Sequence, residues 1–178
     1  MTVVLRRYVI PSEQGEGWAE VVIGSNGFFA AVSDYGDYCY SWSAHGREDF
    51  RLFVIELEQD WDYAATKLGG YEKNHVFDAE ATAKSIKKEV LERRRQKSIT
   101  LERAQEEREY AEELERKNIS IEQWAERTNL DDPSEYMVHR RARDLEAFCK
   151  KLVPRLAAMI RAEMEAEHSP AEATLAVP

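Results

Sequence analysis

The chain has 178 residues, of which 43% are hydrophobic and 33% are charged, and its formal net charge is −9. This composition supports a folded core, excludes an intrinsically disordered chain and contains no apolar run long enough for a membrane helix. The acidic balance argues against generic nucleic-acid binding, which depends on Lys and Arg. Two widely spaced cysteines, Cys39 and Cys149, argue against a disulfide framework and favour a cytoplasmic protein.

The first 43 residues carry the pattern of an antiparallel sheet. Short runs rich in β-branched and aromatic residues are separated by polar loops, and they span residues 2–10, 18–23, 28–32 and 38–42. The Asn26-Gly27 pair is typical of a hairpin turn, because both residues tolerate a positive φ. We therefore predict a four-stranded antiparallel meander in which Tyr38, Tyr40 and Trp42 share one face of the last strand.

A single amphipathic helix is predicted from residue 47 to residue 68. Its apolar positions recur every three or four residues, and they are Phe50, Val54, Leu57, Trp61, Ala64 and Leu68. The Gly69-Gly70 pair provides the stop. Because this apolar stripe must be buried, we expect the helix to lie across one face of the sheet, so that residues 1–77 form a sheet-plus-helix domain.

Residues 78–168 are predicted to form a mainly helical extension, which makes the whole chain an α+β protein, and residues 169–178 a flexible tail. Two thin apolar stripes follow each other within residues 78–117. The polar segment that separates the two stripes leaves open whether this part of the chain is one helix or two.

Two helix starts are marked in the last third of the chain. Ser120 with Gln123 forms a capping box. Asp132-Pro133 predicts the start of a last helix that runs to about Glu167 and is kinked at Pro154.

Negative charge concentrates in the predicted sheet domain. Residues 1–77 hold six Lys or Arg against twelve Asp or Glu, whereas residues 78–117 hold eleven of each. Acidic residues next to aromatic ones are typical of a surface that binds a basic protein, although an ordinary solvated surface is the alternative. The candidate partner-binding residues are Asp34, Tyr35, Asp37, Tyr38, Trp42, Glu48, Asp49, Asp60, Trp61 and Asp62.

Signals for other site types are weak. The basic residues between 87 and 97 fan around a helix axis and alternate with Glu89 and Glu92, which favours a solvated helix over a phosphate-binding face. Residues 120–145 superficially resemble a helix-turn-helix, but the second helix would begin with acidic residues. The histidines have no metal-ligand spacing, and no nucleophile or phosphate-loop motif is present. We expect no metal, no cofactor and no catalysis.

The segment GFFAAVSDYGDYCYSWSAHGREDFRLFVIEL resembles a loosely defined group of small uncharacterised accessory proteins of phages and prophages. The similarity covers roughly residues 17–68, which combine a turn, an aromatic strand and an amphipathic helix. That group includes inhibitors of bacterial defence of the anti-CRISPR type. The resemblance implies a phage protein that acts on a host component, and it transfers no catalytic residue.

The leading hypothesis is a non-catalytic binding protein that occludes a basic surface of a host protein or complex, without direct contact with nucleic acid or membrane. The first alternative is a homodimeric scaffold that pairs through helices in residues 79–114 and 138–160. The second is a small hydrolase centred on His45, with Asp49, Asp34 and Asp37 nearby.

Overall fold

The computed structural model describes residues 2–168 and divides them into two compact units. Described residues 2–74 and 141–168 form unit 1, and His75–Arg140 form unit 2. This division differs from the predicted boundary after residue 77, because residues 141–168 return to the sheet unit. The predicted tail, residues 169–178, lies outside the described residues. No helix within 2–168 is both long and apolar enough to cross a membrane.

Unit 1 begins with the predicted four-stranded antiparallel meander. Its strands lie in the order in which they follow in the chain, and they are β1 (Leu5–Ile10), β2 (Ala19–Gly24), β3 (Phe28–Ser33) and β4 (Tyr38–Ser41). The register pairs Tyr8 with Val21, Val21 with Ala31 and Ala31 with Tyr38, which gives a continuous buried row. At the β2–β3 turn Gly27 has a φ of 88°, and a Cβ there would lie 2.1 Å from the carbonyl oxygen of Trp42. The turn therefore requires glycine.

The predicted helix 47–68 is two helices, α1 (Phe50–Glu56) and α2 (Trp61–Asn74). The chain breaks between them because Asp60 accepts a hydrogen bond from the backbone N–H of Tyr63 at 3.1 Å and so starts a new helix. The predicted apolar stripe nevertheless faces the core, with Trp61 alone half-buried among its six members. At Gly70, φ 56° and ψ −162° interrupt the helical geometry near the predicted stop.

The last helical segment runs through α6 (Arg143–Ala147), a π-helical turn (Phe148–Leu152) and α7 (Val153–His168). The π-helical turn ends two residues before Pro154, which has no N–H to donate to the helix. The kink predicted at this proline stays a prediction. The last helix of unit 1 packs its apolar side on the sheet. Phe148 contacts Phe29 and Tyr38 with ring centroids 6.4 and 4.5 Å apart.

The predicted start of that helix at Pro133 is wrong. Pro133–Tyr136 is a short 3₁₀ turn, and His139–Arg140 forms β6, which pairs with β5 (Val76–Phe77). Asp132 cannot act as the expected cap because it has a positive φ of 45° and makes no capping hydrogen bond. The backbone of Val138 bonds instead to Asp78 and Thr82, which keeps this segment extended.

Unit 2 contains α3 (Ala79–Arg95), α4 (Leu101–Glu115) and α5 (Ile121–Arg127). Residues 78–117 are thus two helices, since Thr100 accepts a hydrogen bond from the N–H of Arg103 and caps α4. The predicted capping box of Ser120 and Gln123 is present. A second core forms between these helices around the fully buried Trp124.

Candidate functional site

The β3–β4 turn carries the first three candidate residues, Asp34, Tyr35 and Asp37. The Asp34 carboxylate is exposed and accepts a hydrogen bond from the backbone N–H of Trp18 at 2.8 Å, and Asp37 is exposed as well. Tyr35 is half-buried, and its hydroxyl accepts a hydrogen bond from Lys151 Nζ at 3.2 Å. The turn therefore presents two carboxylates beside an aromatic ring that is already in contact with a cation.

Tyr38 and Trp42 do not belong to a binding surface. Trp42 is 5% exposed and packs edge-on against Phe29 at 5.9 Å. Tyr38 is buried, donates a hydrogen bond to the carbonyl of Tyr35 at 2.6 Å, and has its pKa raised by burial. The alternation of side chains along β4 correctly predicted that these residues share one face of the strand, and that face is turned toward the core. They stabilise unit 1 and are not available as anchors for a partner.

The N-terminus of α1 holds Glu48 and Asp49. Asp49 caps the helix by accepting from the N–H of Arg51 at 2.9 Å, and it also accepts from the Arg51 guanidinium at 2.7 Å. These hydrogen bonds lower the pKa of Asp49. Asp49 is thus engaged within the chain, whereas Glu48 is exposed and forms no ion pair among residues 2–168.

The N-terminus of α2 holds Asp60, Trp61 and Asp62. Asp60 is exposed, whereas Asp62 accepts a hydrogen bond from the Arg141 guanidinium at 2.8 Å. The Trp61 ring is half-buried and lies beneath Lys150, whose Nζ is 4.1 Å from the ring centroid. The Trp61 ring is therefore already partly covered by cations of the same chain.

Sequence reasoning missed the cations that the last helix brings to these residues. Lys150 and Lys151 follow each other in the π-helical turn and reach Trp61 and Tyr35 respectively. Beside Tyr35, a polar cleft of about 290 Å³ is lined by Glu13, Gln14, Glu16, Gly17, Tyr35, Lys151 and Arg155. The signal that could have indicated these cations is the apolar stripe of the last helix. Because that stripe must be buried against another element, the lysines of the same helix must come close to the residues of that element.

The open face of the sheet is apolar and not acidic. Val9, Val22 and Val32 alternate with the buried row, and Val32 is 54% exposed. The charged groups on this face are Arg7 and Glu20, whose side chains pair at 2.6 Å, and this hydrogen bond lowers the pKa of Glu20. The candidate carboxylates are therefore not on this face of the sheet. They lie in the β3–β4 turn and at the N-termini of α1 and α2.

The residues of the hydrolase alternative make separate contacts in the described part of the chain. The His45 ring contacts Phe50 and Phe53, at centroid distances of 5.0 and 6.1 Å. Asp49, the nearby carboxylate expected from sequence, hydrogen-bonds to Arg51. Within the described part of the chain, no group of three or more His, Cys, Asp or Glu side chains is arranged to hold a metal ion.

The candidate residues thus separate into four groups. Tyr38 and Trp42 are core residues, and Asp49 and Asp62 are paired with arginines. The exposed carboxylates without an ion pair to any described residue are Asp34, Asp37, Glu48 and Asp60. Tyr35 and Trp61 remain partly exposed next to cations.

Comparison with known proteins places the chain among phage proteins. A model described as a phage family matches residues 2–162, which include all of unit 2, most of unit 1 and the segment of the resemblance. No curated protein and no solved structure matches the chain. The match confirms the phage origin that the resemblance implied. The chain belongs to the phage family Phage_phiTE_072.

Proposed function

We propose that this phage protein is a non-catalytic binding module that acts in the host cytoplasm and inhibits a defence complex by covering a basic surface of that complex. The observation that carries the proposal is the set of exposed carboxylates Asp34, Asp37, Glu48 and Asp60, which form no ion pair with a described residue. We name this set the open acidic set. The Lys73 ammonium donates to the backbone carbonyl of Asp37 at 3.1 Å, but no carboxylate of the set is in an ion pair with a described residue. The field of these carboxylates is therefore available to a partner.

A complex that grips nucleic acid presents Lys and Arg to the phosphates, so a protein with fixed carboxylates competes for the same cations. Complementary charge raises the association rate and selects the partner, while exposed contacts add modest affinity each. Tyr35 lies in the same turn as two members of the open acidic set and supplies apolar contact area next to them.

The test compares two sets of isosteric neutralisations in the full chain. The site variant combines D34N, D37N, E48Q and D60N, which keeps the side-chain acceptors that bond to Trp18 and Tyr63. The matched control neutralises four exposed carboxylates of unit 2 that lack an ion pair to described residues, through E80Q, E109Q, E126Q and E135Q. Each variant removes four negative charges, so long-range effects of net charge are equal.

Tagged protein captures its partner from host lysate, and the purified pair is then measured at two salt concentrations. We expect the site variant to bind at least about fourfold more weakly at low salt and with a shallower salt dependence, because four exposed pairs contribute about 0.2–1 kcal/mol each. The control should stay within about twofold of the parent protein. Equal losses in both variants, or unchanged binding by the site variant, would show that the open acidic set is not the interface.

A further inference from the structure

Unit 2 contains a groove between α3 and α4 that the proposed function does not use. It has a volume of about 520 Å³ and is lined by Lys87, Lys88, Val90, Leu91, Arg94, Leu101, Ala104, Gln105 and Arg108. The α3 residues of the lining recur with a spacing of three or four, and so do the α4 residues, so the groove follows about two helical turns. It is therefore long enough to hold a short helical segment.

The walls of the groove are apolar and open to solvent. Leu91 is 52% exposed and Leu101 is 56% exposed, whereas the floor residues Val90 and Ala104 are buried. Pairing of the two helices does not depend on these leucines, because the buried seam is built from Ala83, Ile86, Val90, Ala104, Ala111 and Leu114. Two large aliphatic side chains are thus left beside a preformed concave surface.

The rim of the groove is cationic although the chain carries a net charge of −9. Four of the lining residues are Lys or Arg, and the lining includes no Asp or Glu. Lys87 pairs with Glu115 at 2.6 Å, and Arg94 donates to the carbonyl of Ile99 at 2.6 Å. Lys88 and Arg108 form no ion pair with any residue in 2–168. Both side chains are also exposed, so their charge is open to a ligand.

We propose that this groove binds an acidic amphipathic helix of a partner protein. Aliphatic side chains at helical spacing would pack between Leu91 and Leu101, and flanking carboxylates would pair with Lys88 and Arg108. The lining contains no aromatic ring on which a base could stack, which favours an acidic peptide over single-stranded nucleic acid. This site is independent of the open acidic set, because it lies in a different unit and has the opposite charge.

The test uses the full chain and a synthetic helical peptide of about 15 residues with Leu at spacings of three and four and Glu between them. A matched peptide carries Lys in place of every Glu. We expect the acidic peptide to bind at least about tenfold more tightly than the basic one in fluorescence anisotropy. The double variants K88E/R108E and L91S/L101S should each lose at least about tenfold in affinity. The control K117E, an exposed lysine of the same unit outside the groove, should bind as the parent does.

Three results would overturn the proposal. One is equal binding of the two peptides. Another is a dimer in sedimentation that L91S/L101S abolishes, which would mean that a second copy fills the groove. The third is a single-stranded oligonucleotide that displaces the acidic peptide and depends on Lys88 and Arg108. Circular dichroism of each variant confirms that α3 and α4 are intact. Because no residue of the open acidic set is changed, this outcome is separate from that of the proposed function.

Discussion

Arg51, near the start of α1, donates a hydrogen bond of 2.9 Å from Nη1 to the carboxylate of Glu167 at the end of the last helix, across 116 positions of sequence. The same guanidinium donates to Asp49 at 2.7 Å. The Arg51 side chain is 8% exposed, so its charge is held almost out of solvent among the carboxylates of Asp49, Glu163 and Glu167. This arrangement connects the beginning of the helical layer of unit 1 to its end.

Replacing Arg51 with Met should destabilise unit 1 by about 1–3 kcal/mol, because it removes charge-assisted hydrogen bonds of a side chain that is 8% exposed. The remaining carboxylates of Asp49 and Glu167 are 37% and 42% exposed, so water compensates part of the loss. Chemical denaturation followed by circular dichroism measures this loss. The control is Arg47→Ala, since the pair between Arg47 and Glu56 is about half exposed on both sides and should contribute less than about 1 kcal/mol. Equal losses in the two variants would contradict the assigned role of Arg51.

The stability of unit 1 should decrease in acid. The hydrogen bonds from Arg51 lower the pKa of both Asp49 and Glu167 in the folded protein. Folding therefore favours the ionised carboxylates, and this contribution is fully present above the unfolded pKa values of about 4 and is lost as pH falls through the folded ones. The melting temperature between pH 7 and pH 3 measures it. The Arg51→Met variant should show a shallower decline, and a parallel decline would refute this explanation.

Glu107 should be a main stabilising residue of unit 2. Its carboxylate is 1% exposed and accepts hydrogen bonds from Arg103, Thr128 and Asn129 at 2.7 to 2.9 Å. Glu107→Gln removes the charge and part of the accepting capacity, and it should cost about 2–3 kcal/mol. Hydrogen exchange at Asn129 reports the local opening. Glu106→Gln is the matched control, because Glu106 bonds to the same arginine from an exposed position and should cost below about 1 kcal/mol.

Trp42 should matter for folding and not selectively for partner binding. Trp42→Ala leaves a cavity in the core of unit 1 and should cost about 3–5 kcal/mol in the free energy of unfolding. Trp18→Ala removes an indole that is 36% exposed and should have a much smaller effect on unfolding. Denaturation curves of both variants decide the point. If the Trp42→Ala protein folded with unchanged stability but failed to bind its partner, Trp42 would belong to the interface and the prediction would be wrong.

The two thiols should differ sharply in reactivity. Cys39 is exposed, whereas Cys149 is buried, and burial raises the pKa of the Cys149 thiol to about 12. Because the thiolate is the reactive species, a thiol reagent at pH 8 should modify Cys39 rapidly and Cys149 only after unfolding. Mass spectrometry of the native and denatured protein measures this. In a Cys39→Ser variant the native protein should be almost unreactive, and rapid modification of Cys149 there would contradict its burial.

Local patterns in the sequence were sufficient for the four strands of the meander, for its turns and for the helix cap at Ser120, but not for β5, β6 or the chain near Asp132. The alternation of period two and the Asn26-Gly27 turn act over a few residues, and the meander follows from them. The sequence signal for the helix start at Ser120 is also confined to a few neighbouring residues. The split between α1 and α2 was not visible in the apolar spacing, because the stripe continues through the break and only the capping bond of Asp60 marks it.

The candidate site was predictable in part. Exposed acidic residues in turns, such as Asp34 and Asp37, were identified by residue type and position, since charged groups in turns stay solvated. Residue type could not separate Trp42 in the core from Trp61 near the surface. Nor could it show that Asp49 and Asp62 are paired with arginines, one of which is 79 positions away in the chain.

What the sequence determined by itself is the four-stranded meander, the helical character of most of the remaining chain and the faces of these elements that must leave water, because these properties depend on neighbours within a few positions. It did not determine β5, β6 or the break between α1 and α2. What only the tertiary structure decided is the surface against which each apolar face packs. The last helix has an apolar stripe in any context, but its burial on Phe29 and Tyr38 assigns it to unit 1 and sets Lys150 and Lys151 beside Trp61 and Tyr35. The hydrophobic effect is non-directional, so it favours the burial of an apolar face but does not determine the surface against which that face packs.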